Sequence, residues 1–249
     1  MANVTIKNLT LATDKTSIAI PITKDTTSSI LEYAQAIKTV NPDLVEWRID
    51  FFEAVLNDTK LIKTSHDLRA ILAPIPVLIT FRTYGEGGNL PLDDTSYFKL
   101  LATIIDNNLA DSIDIELTHD FATIKTLVTN THAANIPVIM SNHDFVKTPS
   151  LTDGLSLLTA MDRLDADVLK IASMPNSTMD VLTVLQLSTM ANQIFDKPII
   201  TISMGELGKL TRFSGPVFHS CLTFAALEDA SAPGQLDLDT LKTFLAELS

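Results

Sequence analysis

Cysteine is all but missing from this chain of 249 residues, where Cys221 stands alone. That excludes an intrachain disulfide and any zinc site built on several cysteines. Charged residues make up only 19%, below the usual quarter or so of a globular chain. No apolar stretch approaches the eighteen or so residues of a membrane span. Residues 1–18, interrupted by Lys7, Asp14 and Lys15, lack the core and cleavage pattern of a secretory signal, so a cytoplasmic location is expected. Basic residues are outnumbered, 18 against 30, for a formal net charge of −12. This balance suits neither a nucleic-acid wrapper nor a coat for an anionic membrane. The phosphate-cradling patterns GxGxxG and GxxxxGK[ST] are also missing, which removes the commonest reason to expect an open dinucleotide-binding sheet.

What remains is 46% apolar residues, enough for a substantial core and too many for a disordered chain. Short β-rich runs occur at residues 17–22, 44–50, 76–81, 112–117, 137–141, 167–171, 199–204 and 217–221. Segments of helical period lie between most of them. Residues 27–39 carry Ile30, Ala34 and Ile37 on one stripe, and residues 97–108 carry Phe98, Leu101 and Ile105. Residues 121–133 and 150–164 follow. Residues 177–193 present Met179, Leu182, Leu185 and Met190, and residues 236–248 close with Leu241, Phe244 and Leu248. Only a brief helix, 205–213, fits between the seventh and eighth strands. Residues 2–11 are expected to be an extra strand or a cap on the bottom of the domain. An open doubly wound sheet shares this alternation, but strand count and length favour one closed (β/α)8 TIM barrel over residues 1–249, a fold of roughly 250 residues.

Glycine is scarce, at 8 residues. Gly85, Gly87, Gly88, Gly205, Gly208 and Gly234 fall after strand ends, on the face where barrels place their active sites. They are either ordinary turn glycines or places where the backbone must approach a ligand. On the second strand, Glu46, Arg48 and Asp50 share one side of the pleat. Helices cover the outside of a barrel, so that side points inward, and buried charges demand partners. Asp114 and Glu116 repeat the arrangement on the fourth strand. They suit anchoring of inward Arg or Lys better than a metal, for which no ligand spacing is present.

Lys170 interrupts an otherwise apolar strand. It is either an edge-strand lysine or, in a barrel without edges, an inward amine. Burial beside cations, here expected from Arg48, Arg82 and Arg212, favours the neutral amine that can condense with a carbonyl. His143 follows the fifth strand as a proton shuttle or a plain loop residue, with Glu86 placed to orient it. His66, His119 and His132 read as surface or capping residues, while His219 is ambiguous. Arginine occurs only at positions 48, 69, 82, 163 and 212, and three of these sit near strand ends. A carboxylated small ketone satisfies the arginines and the lysine together. A phosphorylated ketone would also suit Gly205–Gly208.

Seven stretches in order resemble the type I 3-dehydroquinate dehydratase family: Glu46-Trp47-Arg48-Ile49-Asp50, Phe81-Arg82-Thr83 with Glu86-Gly87-Gly88, Asp114-Ile115-Glu116, Ser141-Asn142-His143-Asp144-Phe145, Asp167-Val168-Leu169-Lys170-Ile171, Met204 through Arg212, and Ser231-Ala232-Pro233-Gly234-Gln235. The resemblance implies a (β/α)8 barrel that turns 3-dehydroquinate into 3-dehydroshikimate by syn elimination, the third step of the shikimate pathway. It implies neither metal nor organic cofactor, and a homodimer. By the same resemblance Lys170 is the Schiff-base lysine, His143 the proton-transfer group and Glu86 its acidic partner. Arg212 would bind the substrate carboxylate. Glu46, Arg48 and Arg82 would meet hydroxyls or order the polar floor, and Met204 would line the pocket. Ser231 and Gln235 would close over a carboxylated cyclic hydroxyketone from a loop, 222–235, composed like a mobile lid. The first part of that loop, 223–228, could equally be a short helix. His219 stands where the family often has glycine, which bears on local packing or the pocket floor. Two other readings share these residues: a Schiff-base aldolase on the same barrel, and a barrel that binds a small organic anion without turnover.

Overall fold

The computed structural model describes residues 3–227 and 231–248. Strands β3 (Ser17–Ile22), β4 (Leu44–Arg48), β5 (Val77–Thr80), β6 (Ser112–Glu116), β7 (Val138–Asp144), β8 (Val168–Ser173), β9 (Ile199–Ser203) and β10 (Leu222–Ala226) are all parallel, in the order β10-β3-β4-β5-β6-β7-β8-β9. A two-residue strand, β11 (Leu236–Asp237), adds to the outside of β10. The sheet curls into a (β/α)8-type barrel with a weak seam. Between β9 and β10 the ladder is reduced to a single bridge, Ile199 to Ser220, supported by the Cys221 N–H donating to Ile199 O at 2.8 Å.

Helices α1 (Thr27–Val40), α2 (Asp58–Leu72), α3 (Asp94–Asp106), α4 (Phe121–Ala133), α5 (Leu151–Arg163) and α6 (Thr178–Ile194) cross between successive strands. Short helices α7 (Leu210–Phe213) and α8 (Gly215–Phe218) follow β9, and α9 (Leu238–Leu248) follows β11. Side chains at their N-caps define the starts. Thr26, Asn57, Asp93, Asp120, Ser150 and Ser177 each accept from a backbone N–H in the first turn.

The pleat sorts the strand residues into two sets. Val45, Trp47, Val77, Ile79, Ile113, Ile115, Leu169 and Ile171 pack outward under the helices in the larger apolar cluster. Their neighbours face inward. Near the strand starts, Leu44, Leu78, Ile139, Val168, Ile200 and Leu222 share a second cluster with Ile6, Leu9 and Leu11 of the hairpin β1 (Asn3–Ile6) and β2 (Leu9–Ala12). The hairpin therefore plugs the bottom of the barrel, as expected. One layer up the inward residues are Glu46, Thr80, Asp114, Ser141 and Lys170, so the barrel interior turns from apolar to charged along its axis.

Several sequence expectations are corrected. The last barrel strand is β10, not residues 217–221. Pro216 starts α8, and His219 ends it in the left-handed region at φ 66°. Of the alternative helix at 223–228, residues 223–226 are strand, and Glu228 lies outside the described residues. Helix α2 was not foreseen, because its buried stripe mixes Leu61, Leu68 and Leu72 with Thr64 and Ser65. Those hydroxyls are satisfied: Ser65 Oγ donates to Leu109 O at 2.6 Å, and Thr64 pairs with Thr27 at 2.9 Å. In α6 the buried face is Val181, Val184, Leu185 and Leu187, while Met179 and Leu182 face outward. In α9 it is Leu238, Leu241 and Leu245, and Phe244 instead stacks on Phe213 with ring centroids 4.6 Å apart.

Leu11 is fully buried in the plug, remote from the charged layer. Leu11→Ala should lower the unfolding free energy by about 2–5 kcal/mol in a urea titration. Turnover per folded molecule should not change; a matching loss would place the hairpin in the site.

Candidate active site

The charged layer is held together by Arg82, which continues the line of β5. Its NH1 donates to Glu116 Oε1 at 2.7 Å and to Ser141 Oγ at 2.9 Å, and its NH2 to Asp114 Oδ1 at 2.9 Å. Burial opposes the guanidinium charge, but Asp114, Glu116 and Glu86 outweigh it and raise its pKa well above the ordinary value. Burial likewise opposes the Glu116 carboxylate. Arg82, His119 and Thr83 bring it down all the same, to about 2. Asp114 and Glu116 thus anchor an inward arginine, as their spacing suggested. Arg48 is held separately, in a two-pronged pair with Asp50 at 2.8 Å on each prong. Glu46 accepts from Thr80 Oγ1 at 2.8 Å.

Lys170 projects from β8 into this layer with 5% of its side chain exposed. The partners around its Nζ are not the cations expected from sequence. Asp114 Oδ2 lies at 3.3 Å, Glu46 Oε1 at 4.0 Å, and the ring of Phe224 has its centroid 4.9 Å away. Arg82 and Arg48, which were to supply positive charge, are occupied by carboxylates of their own.

His143, inside the C-terminal end of β7 rather than after it, meets Glu86 across 57 positions of sequence, with Nδ1 to Oε2 at 2.8 Å. Glu86 ends the 3-10 turn Tyr84–Glu86 and accepts further bonds from the His143 backbone N–H at 2.9 Å and from Thr118 Oγ1 at 2.9 Å. A carboxylate at Oε2 orients the ring with its proton on Nδ1, leaving Nε2 as the free acceptor. Burial, then Arg82, Lys170 and Arg48, hold the imidazole pKa well below 6.5. Burial, then Glu116, push the Glu86 carboxyl up to about 7. The carboxyl therefore exchanges its proton near neutrality, beside an imidazole that burial and its cationic neighbours keep from being protonated. With Glu86 ionised, Nε2 accepts a proton; with Glu86 protonated and bonded to Nδ1, Nε2 can carry one to donate.

Arg212, in α7, is 1% exposed yet meets no carboxylate among the described residues. Its NH2 donates to Pro233 O at 2.8 Å, and its Nε has no partner among the described residues. Burial alone lowers its pKa to about 10, which leaves it a cation at neutral pH. Ser231 and Gln235 bind one another, Ser231 N–H to Gln235 Oε1 and Gln235 Nε2 to Ser231 Oγ, both at 2.8 Å.

All ten residues singled out from the sequence line one cavity of about 240 Å³: Glu46, Arg48, Arg82, Glu86, His143, Lys170, Met204, Arg212, Ser231 and Gln235. Gly87, Ala232 and Pro233 line it as well, and so do Phe145, Ala172, Ile202 and Phe224, to which sequence reasoning assigned no role. The signal was available in part, since Ala172 shares the inward parity of Lys170, and Ile202 that of Met204. His219 is not in the pocket. Its Nδ1 lies 3.2 Å from Thr13 O beneath the barrel, and its left-handed backbone accounts for a glycine preference there. His119 is not a surface residue either. It stacks on Tyr97 at 4.2 Å with 8% of its side chain exposed. No cluster of three or more His, Cys, Asp or Glu side chains suited to a metal is found among the described residues, and no helix is long and apolar enough to cross a membrane.

A polar cavity at the C-terminal rim of a parallel barrel, smaller than the roughly 300–1,000 Å³ of drug-sized sites, marks a (β/α)8-barrel enzyme for a small molecule. Comparison with known proteins gives the particular family. The model described as type I 3-dehydroquinase matches residues 18–249. The 3-dehydroquinate dehydratase of Lactiplantibacillus plantarum is 46% identical, with 98% of this chain and 96% of that one covered. The enzyme of Bacillus subtilis is 43% identical, with 97% and 95% covered. Among solved structures, the type I 3-dehydroquinate dehydratase of Clostridium difficile matches with a TM-score of 0.95 at 38% identity, covering 99% of this chain and 97% of that one. The chain belongs to the type I 3-dehydroquinase family, and so to the hydro-lyases of the shikimate pathway.

The raised carboxyl of Glu86 has a measurable consequence. It binds a proton near 4.5 when unfolded and near 7 when folded, so its stability contribution is complete below 4.5 and is lost as pH rises through about 7. Glu86→Gln, which cannot ionise, should gain in Tm relative to the wild type between about pH 5 and pH 8. A Tm difference that stays flat across that range would contradict the assignment.

Proposed function

We propose that the whole chain acts as one catalytic barrel that dehydrates 3-dehydroquinate to 3-dehydroshikimate through a Schiff base on Lys170. The observation that carries this reading is the buried Arg212 guanidinium, without a carboxylate partner among the described residues, sharing a cavity with Lys170 and the His143–Glu86 pair. A substrate carboxylate supplies the anion that Arg212 lacks among the described residues, and a two-pronged carboxylate contact fixes the ring. Glu46, Arg48, Arg82, Ser231 and Gln235 present polar groups to the ring hydroxyls, and Met204 gives it an apolar wall. The similar Clostridium difficile enzyme was solved with covalent modified comenic acid, in keeping with covalent chemistry in such a pocket.

In this reading the Lys170 ammonium passes a proton to His143 Nε2, the neutral amine adds to the ketone, and that proton returns to the carbinolamine hydroxyl, which leaves as water and gives an iminium. His143 Nε2 removes the adjacent α-proton, and the electron pair moves into an enamine. The electrons return to expel the β-hydroxyl, which leaves as water with a proton from the same imidazole. One group working from one side of the ring accounts for syn geometry. Hydrolysis then frees the enone and the lysine. The family resemblance supports a homodimer acting in the cytoplasm.

Formation of the conjugated enone from 3-dehydroquinate, followed by absorbance, tests the proposal. Lys170→Ala should abolish turnover while circular dichroism shows the fold retained; an active variant would end the Schiff-base reading. An aldolase or a non-catalytic anion binder would give no enone with the intact chain. Arg212→Ala should lower kcat/KM by about 100-fold or more, mainly through KM, because a buried charge-assisted contact to the substrate is lost.

A further inference from the structure

The surroundings of Lys170 Nζ contain a second group whose chemistry the dehydration has not yet used. Asp114 is fully buried on β6, and its two carboxylate oxygens are engaged differently. Oδ1 accepts from Arg82 NH2 at 2.9 Å and Ser141 Oγ at 2.7 Å. Oδ2 faces Lys170 Nζ at 3.3 Å. Glu46 is the other carboxylate near Nζ, but it is farther, at 4.0 Å, and the oxygen concerned already accepts from Thr80. The face of Phe224, its centroid 4.9 Å from Nζ, completes surroundings made of two carboxylates and an aromatic face, partners that attract a positive charge on nitrogen.

Such partners suit the covalent stage, in which the nitrogen carries a positive charge. We propose that Asp114 is a further catalytic residue, the counter-ion that holds the positive charge on Nζ from the resting ammonium to the iminium. This rests on Lys170 being the amine that condenses with the ketone. The balance is simple: an ammonium and a ketone give an iminium and water, the carbonyl oxygen leaving with two of the three ammonium hydrogens. One positive charge sits on Nζ before and after. The charge vanishes when α-proton loss makes the neutral enamine, and returns when the β-hydroxyl departs. Asp114 therefore favours the elimination step, which turns a neutral enamine into a cation beside Oδ2, and it holds the first iminium against proton loss. That proton loss is the work left to His143 and Glu86.

The alternative is that Asp114 serves only to hold Arg82. The test compares the full chain with Asp114→Asn, treating each with 3-dehydroquinate and borohydride and reading the reduced adduct by intact mass. The wild type must first give an adduct that Lys170→Ala does not. If it gives none, the Schiff-base reading fails, independently of Asp114. With that established, Asp114→Asn should lower both adduct yield and kcat, the latter on the order of 100-fold. Its affinity for a cyclic polyhydroxy carboxylate without a ketone, measured by calorimetry, should be retained. Wild-type adduct yield and kcat in the variant would overturn the proposal. So would loss of the ketone-free ligand in step with kcat, which would show a collapsed floor. If Asp114→Asn alone does not fold, the double variant with Lys170→Ala decides. Restored folding means that the carboxylate answers to Nζ, whereas continued failure assigns it to Arg82 and overturns the proposal.

Discussion

Arg82 carries more of this site than its position at a strand end suggests. A guanidinium sealed inside a barrel is costly unless every side of it is answered, and here Asp114, Glu116 and Ser141 answer it within 2.9 Å. The ordering passes outward from there. Asp114 turns its other oxygen to Lys170, and Glu116 ties down Thr83, accepting from its Oγ1 at 2.6 Å. The loop after Thr83 then carries Glu86 to His143. Burial first, and then Glu116 as a second carboxylate in the same dry volume, make Glu86 ionise late, with Arg82 and Thr118 opposing them. Removing the arginine charge would leave three acidic side chains facing one another.

The sign of the whole protein and the sign of its pocket are opposed. A net charge of −12 sits on the chain, while the cavity contains three arginines and a lysine. Pairing makes those cations unequal. Arg48 is neutralised by Asp50, Arg82 by its carboxylates, and Lys170 by Asp114 at 3.3 Å. Arg212 alone lacks an anionic partner among the described residues, and so carries the pocket's demand for an anion. The acidic exterior does not compete, because Arg212 is sealed from it by α7 and by the Pro233 carbonyl.

Much of this arrangement was legible from the pleat. Glu46 with Arg48, Asp114 with Glu116, and Lys170 within an apolar strand all follow from period two in a barrel whose outside is covered. What the pattern could not supply was pairing. Nothing local in Lys170 distinguishes an amine beside arginines from one beside carboxylates, because the partners come from β4 and β6. The Glu86–His143 contact likewise spans two crossover units, and the sequence offered it only as a possible orienting pair, which the family resemblance then sharpened. The misplaced eighth strand has a physical cause as well: a β-branched residue beside aromatic ones imitated a strand where Pro216 had already started a helical turn. In α2 the hydroxyls of Thr64 and Ser65 occupy positions where apolar side chains would have revealed the period.

The closing loop shows how a backbone requirement and a binding requirement meet at one residue. The Pro233 carbonyl accepts from the Gly205 N–H at 3.1 Å and from Arg212 NH2 at 2.8 Å. For the loop to sit so low, Gly234 takes φ +75° and passes so near Gly205 that a Cβ would lie 2.2 Å from its carbonyl oxygen. Only glycine permits both. Gly205, at φ +68°, begins the turn that leads through Leu207–Lys209 to α7 and Arg212. The seat of the loop and the seat of Arg212 are therefore built on one turn, joined through the guanidinium's bond to the Pro233 carbonyl. Occupation of that guanidinium by a carboxylate and the resting position of Ser231 and Gln235 are consequently linked through a single carbonyl oxygen, without a hinge of their own.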